Sequence, residues 1–168
     1  MMTIQIDSRE KAKAIKKILA AFDAENVDYF VSKLYVGDYQ SYDNPFLIVD
    51  RKQNLTELCS NVTQGHERFR RELLRAQEHG IQLVILCEHG NGITALEDVI
   101  FWENPRRKRR KKVSGKWQTV ITKATSGETL YKILLTLSRK YGVRFEFCDK
   151  AETGRKIMEI LKDDCGGN

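Results

Sequence analysis

The sequence lacks the features that would place it in several common classes of protein. No apolar run approaches the roughly 18 residues of a membrane span, and the N-terminus has no basic region followed by an apolar stretch. We therefore expect no membrane association, no signal peptide and a cytosolic location. The four cysteines are far apart and form no C-x-x-C pair, which argues against a zinc or redox site. Neither G-x-G-x-x-G nor G-x-x-x-x-G-K-[ST] occurs, so Rossmann-type or P-loop nucleotide binding has no support.

Positive charge is concentrated in one segment. The 168 residues, 41% hydrophobic and 31% charged, are typical of a single globular domain. The net charge is +6, but the run RRKRRKK at 106–112 holds seven of the 29 basic side chains and leaves 22 against 23 acidic ones. Such asymmetry favours a polyanionic partner, most simply nucleic acid. The alternative is a solvated loop that only aids solubility. The candidate DNA-binding residues here are Arg106, Arg107, Lys108, Arg109, Arg110, Lys111 and Lys112.

Segments typical of strands alternate with segments typical of amphipathic helices. We predict strands at 3–7, 28–37, 44–52, 81–88 and 143–149, with the second and third joined as a hairpin. We predict helices at 8–25, 54–62, 66–80, 94–104, 125–141 and 150–163. A flexible basic insertion with little regular structure is expected at about 105–124, and a frayed tail at 165–168. This order predicts one α/β domain whose central mixed β-sheet is flanked by helices.

Two capping boxes are predicted from spacing. Thr94 and Glu97 would begin the helix at 94–104, and Thr125 and Glu128 would begin the next one.

The predicted strand at 44–52 ends in the charged triplet Asp50, Arg51 and Lys52. Because side chains alternate between the faces of a strand, Asp50 and Lys52 share one face and Arg51 lies on the other. The hairpin would bring Asp38 to the same place. Two carboxylates beside a lysine suit a Mg²⁺ or Mn²⁺ site for phosphodiester cleavage, since Mg²⁺ takes carboxylate, water and phosphate oxygens. The alternative is a surface ion pair between Asp50 and Lys52.

Four segments in order resemble the ERCC4-type nuclease family, the domain of XPF- and Mus81-like structure-specific DNA endonucleases. They are IDSRE (6–10), LYVGDY (34–39), IVDRK (48–52) and LTELCSNV (55–62). The family pattern is V-D-x-R-E, then G-D, then E-R-K-x-x-x-D. The resemblance implies a restriction-endonuclease-like fold, in agreement with the α/β prediction.

The resemblance also implies roles for individual residues. Asp38 and Asp50 would be metal ligands, and Lys52 would orient the attacking water, act as a base or stabilise charge. Arg51 matches the family arginine. The first acidic pair corresponds to Asp7 and Glu10, near the metal, with Arg9 between them.

Two positions depart from the family pattern. Asp50 is one methylene shorter than the family glutamate. Thr56 occupies the position of the last acidic residue, with Glu57 one step later. For the first pair a structural alternative stays open, because Asp7 and Glu10 also have the spacing of a capping box at the start of the helix predicted at 8–25.

Further arginines follow the site on the helix predicted at 66–80. Arg68 and Arg71 are candidates for contact with DNA phosphates, although this face could equally be solvated and paired with Glu67, Glu72 and Glu78. Beside the basic run, Trp102 is expected to pack in the core, and Trp117 could stack on a base.

The sequence therefore predicts a Mg²⁺- or Mn²⁺-dependent endonuclease that cuts branched or irregular DNA. The resemblance implies a homodimer, because the family tends to dimerise. Many relatives also have a helix-hairpin-helix module, for which the nuclease elements leave no room in this chain, so the basic run or a partner protein is expected to supply the DNA affinity. The alternative is a non-catalytic nucleic-acid-binding module with a degenerate site, and a weaker one is an RNA-directed protein. Repair, recombination and mobile-element processing are all open.

Overall fold

A computed structural model describes residues 1–163; the frayed tail expected at 165–168 lies outside these residues. The strands are β1 Thr3–Ile6, β2 Asp28–Val31, β3 Tyr39–Ser41, β4 Asn44–Lys52, β5 Gln82–Glu88, β6 Lys108–Val113, β7 Lys116–Ile121 and β8 Arg144–Cys148. The α-helices are α1 Lys16–Ala24, α2 Leu55–Val62, α3 His66–Glu78, α4 Gly127–Tyr141 and α5 Thr153–Asp163. Short 3₁₀ helices lie at Leu96–Phe101, Pro105–Arg107 and Lys150–Glu152.

Six strands form one mixed sheet in the order β2-β1-β3-β4-β5-β8. β1 pairs with β2 in parallel and with β3 antiparallel, β3 and β4 form the hairpin, and β4, β5 and β8 run parallel. Helices α1 and α5 cover one face, and α2, α3 and α4 cover the other. The predicted α/β fold with a mixed central sheet is confirmed.

The hydrophobic core has two halves, one on each face of the sheet, and β4 contributes to both. Ile48 packs in the half beneath α2, α3 and α4, whereas Leu47 and Val49 pack in the half beneath α1 and α5. By the same alternation, Asp50 and Lys52 lie on the same face of β4 as Ile48, and Arg51 lies on the same face as Val49. Because β4 and β5 are parallel, their carboxyl ends meet at one edge of the sheet, and the charged end of β4 opens there.

The predicted strand at 28–37 is wrong in its second half. β2 ends at Val31, and the hairpin partner of β4 is the short strand β3. The segment between β2 and β3 passes close against β4 at Gly37, whose φ of +69° is in the left-handed region. A Cβ on Gly37 would lie 2.4 Å from Cγ2 of Ile48, so this close approach needs glycine. That approach places Asp38 against the end of β4.

Three predicted helix starts are also wrong. α1 begins at Lys16 rather than near residue 8, and Asp7 and Glu10 therefore do not cap it. The helix predicted at 94–104 is a 3₁₀ helix, and Asp98 rather than Glu97 accepts the backbone N–H groups at its start. α4 has Ser126 rather than Thr125 as its N-cap. In the first case other contacts engage the two carboxylates: Asp7 accepts from Arg9 and from the N–H of Leu34, and Glu10 pairs with Arg51.

The basic insertion is not structureless. β6 and β7 form an antiparallel hairpin, paired from Lys108 with Ile121 to Val113 with Lys116. Its side chains are exposed along nearly their whole length, so no apolar face revealed it in the sequence. Within residues 1–163, no helix combines the length and apolar character that crossing a membrane requires.

Candidate active site

The charged end of β4 opens into a cavity of about 330 Å³. Its walls come from the segment after β1, the loop before β3, the end of β4 and the faces of α2 and α3. The acidic lining residues are Asp7, Glu10, Asp38, Asp50, Glu57 and Glu72, and the basic ones are Arg9, Lys11, Arg51, Lys52 and Arg68. The residues that the resemblance singles out along 7–52 are thus brought together in one place.

Backbone hydrogen bonds hold Asp38 beside Asp50. The N–H of Asp38 donates to the carbonyl of Val49 at 2.9 Å, and the carbonyl of Asp38 accepts from the N–H of Asp7 at 2.8 Å. Its carboxylate accepts from the N–H of Arg51 at 2.8 Å. Burial, together with the charges of Asp50 and Glu10, raises the pKa of Asp38 to about 8. Asp38 is therefore held where like charges crowd it.

Lys52 meets Asp50 as the alternation of β4 predicts. Its Nζ lies 3.1 Å from Oδ1 of Asp50, and both side chains are largely buried. Burial lowers the pKa of Lys52, but the charges of Asp50 and Glu72 outweigh it, so the pKa is raised above its ordinary value. The alternative of a surface ion pair is therefore wrong, because this pair lies inside the cavity.

Glu72 on α3 is a further carboxylate at this site, which sequence reasoning placed on a solvated face. Burial, the charge of Asp50 and a hydrogen bond with Asp50 raise the pKa of Glu72 to about 8. Helical spacing offered a signal, since Glu72 is three residues after Phe69 and four before Ala76, both buried. The alternating charges of α3 obscured it.

Asp38 and Asp50 supply the carboxylate oxygens that a divalent cation such as Mg²⁺ takes as ligands. The carboxylates of Asp38 and Glu72 interact with that of Asp50 and with Lys52, and burial, together with the charge of Asp50, raises the pKa of both Asp38 and Glu72. Within the described residues, no group of three or more His, Cys, Asp and Glu side chains is placed to hold a metal. Mg²⁺ commonly takes only one or two carboxylates and completes its shell with water and phosphate. The pair Asp38 and Asp50 meets that requirement.

On the opposite face of β4, Arg51 is held by two glutamates. Its Nη2 and Nε donate to Glu10 at 2.7 and 3.1 Å, and its Nη1 donates to Glu88 at 2.6 Å. All three side chains are at least 93% buried. Glu88, at the end of β5, was missed by sequence reasoning; a polar residue that ends the apolar run of β5 was the available signal. The triad ties the segment after β1 to the ends of β4 and β5.

Asp7 holds the loop that carries Asp38. Its buried carboxylate accepts from the N–H of Leu34 at 2.8 Å and from Nε of Arg9 at 2.6 Å. Burial alone would raise the pKa of Asp7, but these hydrogen bonds outweigh it and hold the pKa below its ordinary value. The Arg9 side chain is 63% exposed at the cavity, so it can also face a ligand.

Glu57 is engaged at the start of α2. Its carboxylate accepts from the N–H of Gln53 at 2.7 Å, while its own N–H donates to the N-cap side chain of Asn54 at 2.8 Å. Glu57 lines the cavity, but its closest contacts are those of a helix cap. Thr56 lies on the opposite side of α2, beside Arg106.

The predicted DNA-binding arginines lie at different distances from the cavity. Arg68 is exposed and lines it, whereas Arg71 is exposed outside it. Arg106 donates to the hydroxyl of Ser60 on α2 at 2.9 Å, which joins the base of the basic hairpin to the helix beside the site. The rest of the basic run extends away along β6. As expected, Trp102 is buried in the core, and Trp117 is 62% exposed.

The fold is an α/β domain whose mixed sheet carries carboxylates and a lysine at the end of a central strand. The ERCC4 domain model matches residues 6–160, and the chain therefore belongs to the ERCC4 domain family. This membership confirms the resemblance found in the sequence and supports a nuclease-type function on DNA.

Two solved structures share the fold. The chain matches XPF from Aeropyrum pernix with a TM-score of 0.65 and 18% identity over 98% of its length. It matches XPF from Aeropyrum pernix in complex with DNA with a TM-score of 0.65 and 19% identity over 98%. The alignments cover 65% and 66% of those chains, so this chain spans about two-thirds of their length. No curated protein matches the sequence.

Proposed function

We propose that the protein is a metal-dependent endonuclease that hydrolyses phosphodiester bonds in branched or irregular DNA. The observation that carries this proposal is the convergence of the carboxylates of Asp38, Asp50 and Glu72 on one cavity, where their mutual repulsion costs stability unless a cation joins them. Asp38 and Asp50 would hold Mg²⁺ or Mn²⁺. When bound, the metal neutralises charge on the phosphoryl group and lowers the pKa of its water.

Lys52 would act as a cation rather than as a base. Its raised pKa keeps the ammonium protonated at neutral pH, and Asp50 holds it in place at 3.1 Å. A fixed positive charge beside the substrate stabilises the negative charge that develops on phosphate oxygens during cleavage. Of the roles that the family resemblance allows, charge stabilisation and water orientation are therefore favoured.

Arg51, Glu10 and Asp7 would be positioning residues. The guanidinium of Arg51 has its donors committed to Glu10 and Glu88, which leaves it little capacity to bind a substrate phosphate. Through its backbone N–H, Arg51 also holds the Asp38 carboxylate. Asp7 fixes the loop before β3 by its bond to Leu34. These contacts would hold Asp38 and Asp50 in position for one metal.

DNA would enter across the exposed arginines beside the cavity. Arg9 and Arg68 line it, and Arg71 lies farther along α3. The run from Arg106 to Lys112 would hold the backbone at a distance from the cut. One solved XPF structure of the same fold is a complex with DNA, which supports DNA as the ligand. A homodimer or a partner protein would add further contacts with the DNA.

A second candidate function is non-catalytic binding of nucleic acid at a degenerate site. Two observations favour it: the shorter carboxylate at Asp50 and the engagement of Glu57 in the cap of α2. Glu72 on α3 weighs against it, because it restores a carboxylate to the cavity by another route.

A cleavage assay tests the two functions. Flap, fork and duplex DNA are incubated with the protein and Mg²⁺ or Mn²⁺, and matched RNA substrates test the RNA-directed alternative. The proposal expects cleavage of branched DNA by the wild type and by Asp43→Ala, an exposed aspartate in the turn before β4. It expects none by Asp50→Ala. Cleavage of no substrate, or equal cleavage by Asp50→Ala, would overturn it.

A further inference from the structure

The basic hairpin has two faces with equal charge and different chemistry. From the β6–β7 register, one face carries Lys108, Arg110, Lys112, Trp117, Thr119 and Ile121. We call it the Trp117 face. The opposite face carries Arg109, Lys111, Val113, Lys116, Gln118 and Val120. Each face has three cations, so charge alone would not distinguish them.

Large apolar side chains are exposed along the Trp117 face. Trp117 is 62% exposed near the tip, and Ile121 is 77% exposed at the base. At the base the face continues into a cavity of about 760 Å³, where Ile121 and Lys108 meet the 3₁₀ helix that carries Phe101. Phe101 is itself 75% exposed. Two aromatic rings therefore flank the three cations of this face.

The hairpin gains little stability from the domain. Its side chains pack against almost nothing, and its anchorage comes from the base, where Thr122 bonds the carbonyls of Arg106 and Arg107 at 2.6 and 2.7 Å. An isolated two-stranded hairpin is at best marginally stable in water. The hairpin is therefore an exposed ribbon of cations and aromatic rings. A polyanion that also carries flat apolar groups would be complementary to this surface.

Such a ligand is a single strand of nucleic acid. Proteins that bind single strands combine cations that follow the backbone with aromatic side chains on which bases stack. Along β6, successive cations of the Trp117 face recur every second residue, about 7 Å apart. In duplex DNA the bases are paired and stacked inside the helix, so exposed rings gain little from contact with it.

We propose that the Trp117 face binds unpaired nucleotides of a single DNA strand. Trp117 stacks on a base near the tip, and Phe101 offers a second platform at the base of the hairpin. Lys108, Arg110 and Lys112 contact the phosphates between them. The inference rests on the proposed function only in naming DNA as the ligand.

The position of the hairpin relates this face to the candidate active site. Arg106, at the hairpin base, bonds Ser60 on α2, and the N-terminal turn of α2 carries Glu57 into the active-site cavity. α2 has eight residues and is about 12 Å long. A strand held on the Trp117 face would thus leave the duplex within about one helix length of the site, which would favour substrates with an unpaired arm.

Binding without catalysis tests the proposal. Fluorescein-labelled dT₁₂ and a 12-base-pair duplex are titrated with the full chain in EDTA, and anisotropy is recorded. Trp117→Ala is expected to weaken dT₁₂ binding about 5- to 150-fold, the range for loss of one stacked base. Duplex binding should change less than about twofold. The control Gln118→Ala, next in sequence on the opposite face, should leave both affinities within about twofold.

The neighbouring arginines give a charge-matched comparison. Arg110→Ala should weaken dT₁₂ binding more than Arg109→Ala, because only Arg110 lies on the Trp117 face. The chain has two tryptophans, so dT₁₂ should quench fluorescence in the wild type and not in Trp117→Ala, which keeps only the buried Trp102. Circular dichroism confirms that each variant is folded.

Three results would overturn the proposal. One is an equal effect of Trp117→Ala and Gln118→Ala on dT₁₂. Another is an equal loss of duplex and dT₁₂ binding in Trp117→Ala. The third is self-association, seen by sedimentation, that Trp117→Ala abolishes while dT₁₂ binding stays unchanged. Because no metal is present, these outcomes do not depend on whether the protein cleaves DNA.

Discussion

Asp50 and Arg51 are neighbours in sequence, yet they lie in two clusters of opposite character. On the face of Arg51, one guanidinium meets Glu10 and Glu88 through three hydrogen bonds of 2.6 to 3.1 Å. On the face of Asp50, the carboxylates of Asp38, Asp50 and Glu72 crowd around the ammonium of Lys52. The first cluster is closed by its own partners, and the second opens into the cavity with negative charge to spare.

The difference in charge balance distinguishes a cluster that holds the fold together from one that can bind a ligand. A buried ion cluster whose donors and acceptors are satisfied holds elements in place and has nothing left for a ligand. A buried cluster with excess charge of one sign lowers stability and persists where a ligand completes it. In this proposal the Arg51 cluster positions the metal site, and the Asp50 cluster forms it.

The largest expected effect on activity comes from Asp50→Asn. Loss of this carboxylate should reduce cleavage of branched DNA by about 10³-fold or more, because the metal and Lys52 both depend on it. The melting temperature should stay the same or rise, since a buried like charge is removed. Single-turnover cleavage and calorimetry on one preparation measure both. If Asp50→Asn unfolds, the contrast between the two clusters fails, because Asp50 would then be needed for the stability of the fold.

Arg51→Met should show the converse pattern. Removal of the guanidinium leaves Glu10 and Glu88 buried without a partner, and we expect a loss of about 3–5 kcal/mol in the free energy of unfolding. Urea denaturation measures it. The triple variant Arg51→Met, Glu10→Gln, Glu88→Gln should recover much of the loss, because the uncompensated charges are gone. A stable single variant would mean that the triad does not hold β1, β4 and β5 together.

Stability of the metal-free protein should fall as pH rises from about 4 to 8. The raised pKa values of Asp38 and Glu72 mean that the folded state keeps protons which the unfolded state has released over this range. Asp38→Asn and Glu72→Gln should each flatten the profile, by about 1–3 kcal/mol at pH 8. Mg²⁺ should restore stability at high pH by replacing the protons. Denaturation across pH, with and without Mg²⁺, tests this.

Asp7 is a control for this pH dependence, because its contribution to stability changes with pH in the opposite direction. Its lowered pKa means that its contribution is present above the ordinary pKa of aspartate and is lost as pH falls below about 4. Asp7→Asn should therefore lower stability at neutral pH, whereas Asp38→Asn should raise it. The same sign for both would contradict the assignment of Asp7 to the architecture.

The smallest expected effect belongs to Glu57. Glu57→Ala removes the contact with the N–H of Gln53 and should cost about 0.5–1 kcal/mol of stability, as for loss of a helix cap. The cleavage rate should stay within about twofold of the wild type. A loss of 100-fold or more would show that Glu57 acts as the last acidic residue of the family motif.

The parts of the site that local sequence could predict are those that strand alternation dictates. The pattern of β4 predicted that Asp50 and Lys52 meet on one face, and the continuous apolar run of β5 predicted a strand buried on both faces. Glu72 and Glu88 could not be assigned in this way, because their burial depends on which helix and strand pack against β4. Whether a charged side chain is paired or crowded by like charges depends on tertiary packing.

The start of α1 and the basic hairpin were misplaced for two different reasons. α1 begins eight residues later than predicted because Asp7 and Glu10 form tertiary contacts instead of a capping box. β6 and β7 were missed because their pairing buries no apolar face, which is the signal that alternation provides. Local rules therefore failed where charged residues take part in long-range pairing or where the surface is open to a ligand.

The central claim is that Asp38 and Asp50 share one divalent metal. Crystals soaked in Mn²⁺ and measured for anomalous scattering test it most directly. The account predicts one peak in the cavity, bonded to a carboxylate oxygen of each residue, and its loss in isomorphous crystals of Asp50→Asn. Absence of a peak between Asp38 and Asp50, or its persistence in Asp50→Asn, would contradict the claim.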